Sequence, residues 1–460
     1  TAIFGQYPAQ IQRTVHLGFG LTLIFLLFPA RRKGIKHKIA WYDYILALIA
    51  VAVGSYWVLN YETLVQSLGQ LSTLDFYIGL AAILLVLEAA RRAVGLPITI
   101  IAVLFLLYAY FGRHMPDFMA HRGQSIDNIV NLMFFTTDGI LGTPLAVSST
   151  YIFAFLLFGA FLVKTGVGEY FNDLALAVAG KLIGGPAKVA IFSSALQGTI
   201  SGSSVANVVT SGAYTIPLMK RLGYKKDFAG AVEASSSTGG QLMPPIMGAA
   251  AFLMVEFIGR GITYWEIAKA AAIPAVLYFA GIWIMTHFEA KRLGLRGLTD
   301  DEMPDRKQIF KKIYLLIPIL IIIFIMSAGV SVIHSAMYGI LACIVVGIIN
   351  PDVKFGVIEV IDALVDGART ALGVVAATAC AGIIVGVVVK TGLGLSLATS
   401  LVKLAGGSIL LTLFFVMIAS LILGMGAPTT ANYVITSTIA APAIITLLAP
   451  GVSQDMLPIV

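Results

Sequence analysis

Charge is scarce in this sequence: Asp, Glu, Lys and Arg make up 12% of its 460 residues, whereas hydrophobic residues make up 58%. A typical soluble domain has about 25% charged residues, so this composition excludes a soluble globule with a polar surface. Runs of about 20 apolar residues can cross a bilayer as helices, and these runs do not alternate as barrel strands do. The sequence therefore predicts an all-α polytopic membrane protein in contact with lipid. The candidate spans are 11–30, 41–59, 76–92, 97–112, 146–163, 228–258, 263–288, 313–330, 331–349 and 369–389.

Cysteine is nearly absent, and so are the usual motifs of catalysis. Cys343 and Cys380 lie in apolar spans without the spacing of metal ligands, so we expect packing residues and neither a disulfide nor a metal site. The sequence has no glycine-rich loop ending in Lys-Ser or Lys-Thr, which argues against ATP hydrolysis. An intramembrane enzyme would need a nucleophile beside a base, yet none of the six histidines falls in the serine-rich or asparagine-bearing segments. We therefore expect no enzyme.

The net charge of +7 is carried by short basic connections between the apolar runs. Such connections mark the cytoplasmic side of a membrane protein, so they indicate orientation rather than a nucleic-acid partner. Residues 60–75 and 425–456 contain no Lys or Arg and are expected outside. Because residue 1 is Thr and the chain stops at "MLPIV", we also expect both ends to be cuts in a longer protein. The basic connections are 31–38, Arg91 with Arg92, 220–226 and 289–312.

Small and polar residues dominate the segment "GTISGSSVANVVTSG" (198–212), inside an otherwise apolar region. Roughly 31 residues separate the basic positions Lys188 and Lys220, which is too few for two complete passes of about 20 residues each. Because both flanks are basic, the segment predicts a re-entrant hairpin of two half-helices with its tip at 201–207. The alternative is a close helix contact through Gly and Ser.

The same pattern recurs later in the chain. "FLVKTGVG" (161–168) returns as "VVVKTGLG" (387–394), and 201–217 aligns with 426–442 at an offset of 225, which pairs Asn207 with Asn432. The charges place the two copies in opposite orientations, so we predict inverted repeats over about 126–258 and 355–460, the second truncated. A second re-entrant hairpin would then cover roughly 408–448. Inverted repeats with broken helices are typical of secondary transporters.

The segment after the first hairpin is interrupted by Gly239 with Gly240 and by Pro244 with Pro245. Because proline removes a backbone donor and frees a carbonyl, this pattern predicts a broken helix rather than a bent one. Its counterpart in the second repeat would fall near position 469, past the end of the chain. Segments 126–137 and 357–368 combine Asp with apolar residues and predict interfacial helices.

At these residues the chain resembles the membrane subunits of tripartite ATP-independent periplasmic (TRAP) transporters, in particular fused permeases that work with a TAXI-type binding protein. The resemblance is carried by "GTISGSSVANVVTSGAYTIPLMKRLGY", "FAGAVEASSSTGGQLMPPIMGAAAF" and "LGMGAPTTANYVI". Residues 1–112, with four spans, look like the small subunit, fused to a DctM-like large transport domain over 113–460. The resemblance implies sodium-coupled uptake of an organic acid, delivered by a periplasmic TAXI-type solute-binding protein, across a bacterial or archaeal inner membrane. It implies no cofactor besides Na⁺.

The resemblance also implies binding residues at each hairpin tip and at the broken helix. In the first hairpin they are Ser201, Gly202, Ser203, Ser204 and Asn207, and in the broken helix Thr238, Gly239, Gly240 and Pro244. In the second hairpin they are Gly424, Gly426, Thr429, Thr430 and Asn432. One Na⁺ would bind at Ser203, Ser204, Asn207, Thr238 and Gly239, and another at Thr429, Thr430 and Asn432. The Thr-Pro-Pro half of the second site is absent from this sequence.

Two alternatives stay open at this point. Glu233 lies within the broken segment and could neutralise a cation or relay a proton. It is only six residues from Asp227, so an interfacial role is the other interpretation. At the level of function, the alternative to a permease served by a binding protein is a stand-alone sodium/dicarboxylate symporter.

Overall fold

The structure is a computed structural model that describes residues 7–30, 39–67, 69–117, 119–258, 261–425 and 429–448. Within these ranges the regular secondary structure is helical and no strand occurs, which confirms the all-α prediction. The first helices are α1 (Ala9–Leu27), α2 (Trp41–Leu59), α3 (Tyr61–Gln66), α4 (Thr73–Ala93), α5 (Leu96–Phe111), α6 (Ile126–Val130), α7 (Thr143–Val147), α8 (Phe153–Lys164), α9 (Val167–Ala179), α10 (Gly185–Ser201) and α11 (Ser204–Thr210). They are followed by α12 (Gly212–Arg221), α13 (Lys226–Gly239), α14 (Ala249–Ile258), α15 (Tyr264–Arg292), α16 (Arg306–Lys311), α17 (Ile317–Ser327), α18 (Val332–Ile349), α19 (Val357–Thr391), α20 (Leu393–Leu404), α21 (Ile409–Gly424) and α22 (Thr429–Leu448).

Among the described residues, seven helical segments are long and apolar enough to cross a membrane. This number rises to eight if the bent pair Asp300–Lys311 and Ile313–Ser327 forms one span. The chain is therefore a polytopic membrane protein, as its composition predicts. The seven segments are Trp41–Leu59, Thr73–Ala93, Leu96–His114, Thr143–Lys164, Tyr264–Arg292, Val332–Ile349 and Val357–Thr391.

Several sequence-based boundaries change in the structure. Segment 228–258 is not one helix, because α13 and α14 are separated by turns over 240–248, as its Gly and Pro pairs predict. Segment 357–368 is not a separate helix, since it continues without a break into α19, whose 35 residues contain no proline. The predicted span over 11–30 corresponds to α1, which is not among the seven segments.

The chain divides into two compact units. One contains residues 1–150 and 369–460, and the other contains residues 151–368. These units reflect how the chain packs, and their boundaries differ from those of the predicted fusion of two subunits. The boundary between a small-subunit-like domain over 1–112 and a transport domain over 113–460 stays a prediction.

In the first unit, α1 and α2 approach each other through two glycines. A Cβ atom added to Gly18 would lie 2.8 Å from the Cα atom of Gly54, so only glycine permits this backbone contact. The guanidinium of Arg92 is buried and lies 2.6 Å from Asp43 and 2.7 Å from Glu88. Because a buried charge requires a partner, these carboxylates allow Arg92 to end α4 inside the unit rather than at its surface.

The second unit contains the hairpin formed by α10, α11 and α12, the broken helix formed by α13 and α14, and α15, which packs on both α10 and α13. A connection between α8 and the end of α18 is made by Asn350, whose Nδ2 atom donates to the Thr165 carbonyl oxygen at 2.9 Å.

Both cysteines of the chain are free and buried, consistent with their interpretation as packing residues.

The orientation can be tested by labelling single introduced cysteines. Arg296→Cys is expected to react with a membrane-impermeant maleimide only from the cytoplasmic side, and Gln66→Cys only from outside, because basic connections remain inside. Both positions are exposed, while Cys343 and Cys380 are buried and should give little background. Labelling of both introduced cysteines from the same side would contradict the orientation.

Candidate functional site

The first break in the chain lies between α10 and α11. Gly202 has φ = +54°, a left-handed conformation that favours glycine, and Ser203 then caps α11 by accepting a hydrogen bond from the Ala206 amide at 3.3 Å. A Cβ atom on Gly202 would also overlap the carbonyl oxygen of Met247. The chain thus reverses within the predicted tip at 201–207, and glycine is required there for two independent reasons.

The two arms of this hairpin run antiparallel. The Asn207 side-chain Nδ2 atom donates to the Ser194 carbonyl oxygen at 2.9 Å, and the hydroxyls of Ser194 and Ser211 are 3.2 Å apart. These contacts join positions 13 and 17 residues apart on either side of Gly202. That the hairpin enters the membrane and returns on the same side stays a prediction.

Asn207 has an unpaired oxygen at the tip. Its side chain is 1% exposed, and its Oδ1 atom has no hydrogen-bond partner among the described residues. Because a carbonyl can only accept, the amide nitrogen must face Ser194, which fixes Oδ1 on the opposite side. A buried acceptor without a donor costs about 1–3 kcal/mol. Such an oxygen is suited to a hard cation, whose preferred ligands are carbonyl and carboxylate oxygens.

A second unpaired oxygen comes from the break in the other helix. The Gln241 Nε2 atom donates to the Ser204 hydroxyl at 3.2 Å, and its Oε1 atom is buried without a partner within the described ranges. Met247, on the same loop, has φ = +56°, which is uncommon outside glycine. Backbone strain of this kind concentrates at functional sites.

The hairpin and the broken helix meet through glycine backbone. A Cβ atom added to Gly240 would lie 2.8 Å from the Gly198 Cα atom and 2.9 Å from the Asn207 Nδ2 atom. No side chain larger than hydrogen fits at Gly240 without moving α10 or the Asn207 amide. The structure therefore brings the predicted residues Ser204, Asn207 and Gly240 to one place.

Other predicted residues of the broken helix lie apart from that contact. The Thr238 side chain is exposed and donates back to the Ala234 carbonyl oxygen at 2.8 Å. Gly239 faces Tyr278 and Phe279 of α15, because a Cβ atom there would meet both rings. Pro244 is half-buried in the loop.

The second break, between α21 and α22, repeats the Asn207 arrangement. The Asn432 Nδ2 atom donates to the Ser420 carbonyl oxygen at 3.3 Å, 12 residues earlier, and its Oδ1 atom is buried without a partner among the described residues. A Cβ atom on Gly424 would lie 3.0 Å from that Nδ2 atom. Thr429 is exposed and Thr430 is half-buried at the start of α22. Gly426 lies outside the described residues.

Two polar side chains matter more in the structure than the sequence indicates. The sequence pattern predicts a role for the Gly and Pro pairs around Gln241 and none for Gln241 itself. Glu233 is fully buried and accepts hydrogen bonds from hydroxyl groups, whereas its position relative to the membrane interface stays a prediction. The one feature of the sequence that could have indicated Gln241 and Glu233 is that each is a polar residue in a stretch flanked by apolar runs.

Apolar spanning helices, a repeated motif and helices broken at buried polar residues together define the class of secondary membrane transporters. Comparison with known proteins supports this assignment to a class of transporters. The family model of the DctM component of tripartite ATP-independent periplasmic transporters matches residues 81–456, and the chain belongs to this family. Membership of a transporter family also confirms the prediction that the chain is not an enzyme.

Individual relatives match over shorter regions. The sialic acid TRAP transporter large permease SiaM of Vibrio cholerae is 28% identical over 170 residues, 36% of this chain and 39% of the relative. The C4-dicarboxylate TRAP transporter large permease DctM of the same species is 30% identical over 208 residues, 44% of this chain and 41% of the relative. YgiK of Salmonella typhimurium is 26% identical over 238 residues, 52% and 50% of the two chains. The chain thus spans about two-fifths to one half of the length of these relatives.

Proposed function

We propose that this chain is the membrane permease of a sodium-coupled secondary transporter that takes up small organic acids across a bacterial or archaeal inner membrane. The observation that carries the proposal is the pair of buried, unpartnered asparagine oxygens, Asn207 Oδ1 and Asn432 Oδ1, at corresponding breaks of the described structure. Broken helices place free oxygens where secondary transporters bind their coupling ion. Sodium is the coupling ion, and no other cofactor is proposed.

The first sodium site is centred on Asn207 and completed by Ser204 and Gln241. These residues come from both sides of the contact between the hairpin and the broken helix, so an ion bound by them would stabilise that contact. Because the Thr238 side chain is exposed, we assign it no direct ligand role. The second site is centred on Asn432, with Thr429 and Thr430 at the start of the same helix.

The proposed substrate class follows from the relatives. Those named for sialic acid and for C4-dicarboxylates both transport carboxylates by their names, so we propose a carboxylate here. We further propose a periplasmic TAXI-type solute-binding protein as partner and a small subunit fused at the N-terminus. The family match begins at residue 81, within α4, and leaves α1, α2 and α3 before it, which supports an added N-terminal part. The alternative is a stand-alone sodium/dicarboxylate symporter.

Removing the proposed ligands should weaken sodium binding. Asn207→Ala and Ser204→Ala are each expected to raise the sodium concentration for half-maximal uptake in proteoliposomes. A bond to a charged group contributes about 1.5–3 kcal/mol, so the increase should be about tenfold or more.

Thr210→Ala is a matched control in the same hairpin. Its hydroxyl is exposed and bonds only within the helix, to the Ala206 carbonyl oxygen at 2.8 Å, so sodium dependence should not change. If Asn207→Ala and Ser204→Ala both keep the original sodium dependence, the polar residues of the tip serve packing alone.

A further inference from the structure

The carboxyl group of Glu233 is fully buried and surrounded by hydroxyl groups. Its Oε1 atom accepts from Ser194 at 3.2 Å, from Ser237 at 3.1 Å and from Ser211, and its Oε2 atom accepts from Thr215. The hydroxyls belong to α10, to the junction of α11 and α12, to α12 and to α13 itself. One carboxyl group therefore connects both arms of the hairpin to the first half of the broken helix.

Titratable groups on the surrounding helices bond elsewhere or are exposed, as Tyr214 within α12 is. The Lys188 amine of α10 is 3.1 Å from the His287 Nδ1 atom of α15, and the Tyr278 hydroxyl of α15 donates to the Ser235 carbonyl oxygen at 2.8 Å. The charges at the ends of α12 and α13 are exposed: Lys220, Arg221, Lys226 and Asp227. Within the described residues, no ion pair involves Glu233. A buried carboxylate without a cation is costly, and protonation removes that cost.

The acceptor oxygens that face the Ser211 and Thr215 hydroxyls outnumber the hydrogens of these two groups, so one more hydrogen can be bound. The Ser211 hydroxyl can donate to Glu233 or to the backbone carbonyl oxygen of Asn207, which is 2.8 Å away. The Thr215 hydroxyl can likewise donate to Glu233 or to the backbone carbonyl oxygen of Ser211, at 3.0 Å. Each hydroxyl has a single hydrogen to donate. When the carboxyl is ionised, both hydroxyls turn towards it. When Oε2 carries a proton, it donates to Thr215, and Thr215 then donates to the Ser211 carbonyl.

We propose that Glu233 is a reversible proton-binding site, separate from the sodium sites, that joins the hairpin to the broken helix. The carboxyl takes up a proton from water when the contact opens and returns it to water on ionisation, so charge and atoms balance. Ser194 connects this site to Asn207, because its hydroxyl bonds Glu233 while its carbonyl oxygen accepts from the Asn207 amide. Only the effect on uptake rests on the proposed transport function.

Difference infrared spectroscopy on the purified chain tests the site without any transport measurement. The unmodified chain should lose a protonated-carboxyl band when the pH is raised, and Glu233→Gln should lack this pH-dependent band. Glu256→Gln is the matched control, because Glu256 is an exposed carboxylate on the other half of the broken helix. An unchanged band in Glu233→Gln, or a band governed by sodium concentration at constant pH, would overturn the proposal.

Ser237→Ala provides a second measurement that does not require replacing the carboxyl. Because a carbonyl with fewer hydrogen-bond donors stretches at higher frequency, loss of the Ser237 hydroxyl should shift the band upward. A band that does not move would contradict its assignment to Glu233. In proteoliposomes, Glu233→Gln should also lose most of the pH dependence of uptake while Glu256→Gln retains it. If neither protein transports, the infrared result still decides the site.

Discussion

Gly198→Ala is expected to abolish uptake almost completely. A Cβ atom at this position would overlap the backbone of Gly240, and neither backbone can yield without separating the hairpin from the broken helix. Overpacking of this kind costs about 1–3 kcal/mol or more. Because Gly240 also lies against the Asn207 amide, the displacement would change the proposed sodium site directly. Uptake in proteoliposomes, measured after gel filtration establishes that the protein is intact, should fall about a hundredfold.

Gly230→Ala is the matched control for this experiment. Gly230 lies in α13, and a Cβ atom added to it would meet no atom within 4 Å apart from its chain neighbours and the backbone of its own helix. Alanine is also the better helix former by about 1 kcal/mol, so the variant should be folded and active. If Gly198→Ala transports as well as Gly230→Ala, the close contact between hairpin and broken helix is not needed for uptake.

Omission of the binding protein should have a comparably large effect. We expect that the reconstituted chain takes up carboxylate only when a cognate TAXI-type binding protein is present, because the permease would accept substrate from that protein rather than from bulk solution. Sodium-driven uptake of free substrate without the binding protein would favour the stand-alone symporter. Uptake of a radiolabelled carboxylate with and without added binding protein decides between the two.

The connection after α5 offers a positive charge for that encounter. Arg122 is exposed, and its carbonyl oxygen accepts from the Arg113 guanidinium at 2.7 Å, while the His121 ring accepts from the Gly123 amide at 3.1 Å. These bonds hold the Arg122 backbone in place. The predicted orientation places three arginines outside, Arg113, Arg122 and Arg260, and of these Arg260 lies outside the described residues.

Reversal of this charge should slow uptake mainly at low salt. Complementary charge increases the rate of encounter, and screening at 0.1 M salt reduces its range to about 10 Å. Arg122→Glu is therefore expected to reduce the rate several-fold at low salt and little at high salt. Lys307→Glu makes the same change at an exposed position on the predicted cytoplasmic side and should have no effect. A salt-independent defect in Arg122→Glu would point to folding rather than to docking.

Much of the fold could be predicted from the sequence because its determinants are local. Long apolar runs that do not alternate require helices in a bilayer, since every backbone group must find its partner within the segment. The reversal at Gly202 depends on a residue that tolerates positive φ, and the glycine is visible in the sequence. The recurrence of Asn207 as Asn432 likewise located the second break, whose arrangement repeats the first.

Only the tertiary structure decided which side chains share a site. Glu233 lies 39 residues after Ser194 and 22 residues after Ser211. The three side chains meet because the hairpin packs on α13. The same packing leaves Thr238 exposed, turns Gly239 towards Tyr278 and places the half-buried Gln241 beside Ser204. Polar residues at a break have no periodicity that indicates a buried face. Their environment is set by long-range contacts between elements, whereas the position of the break itself is set by the conformational preferences of single residues.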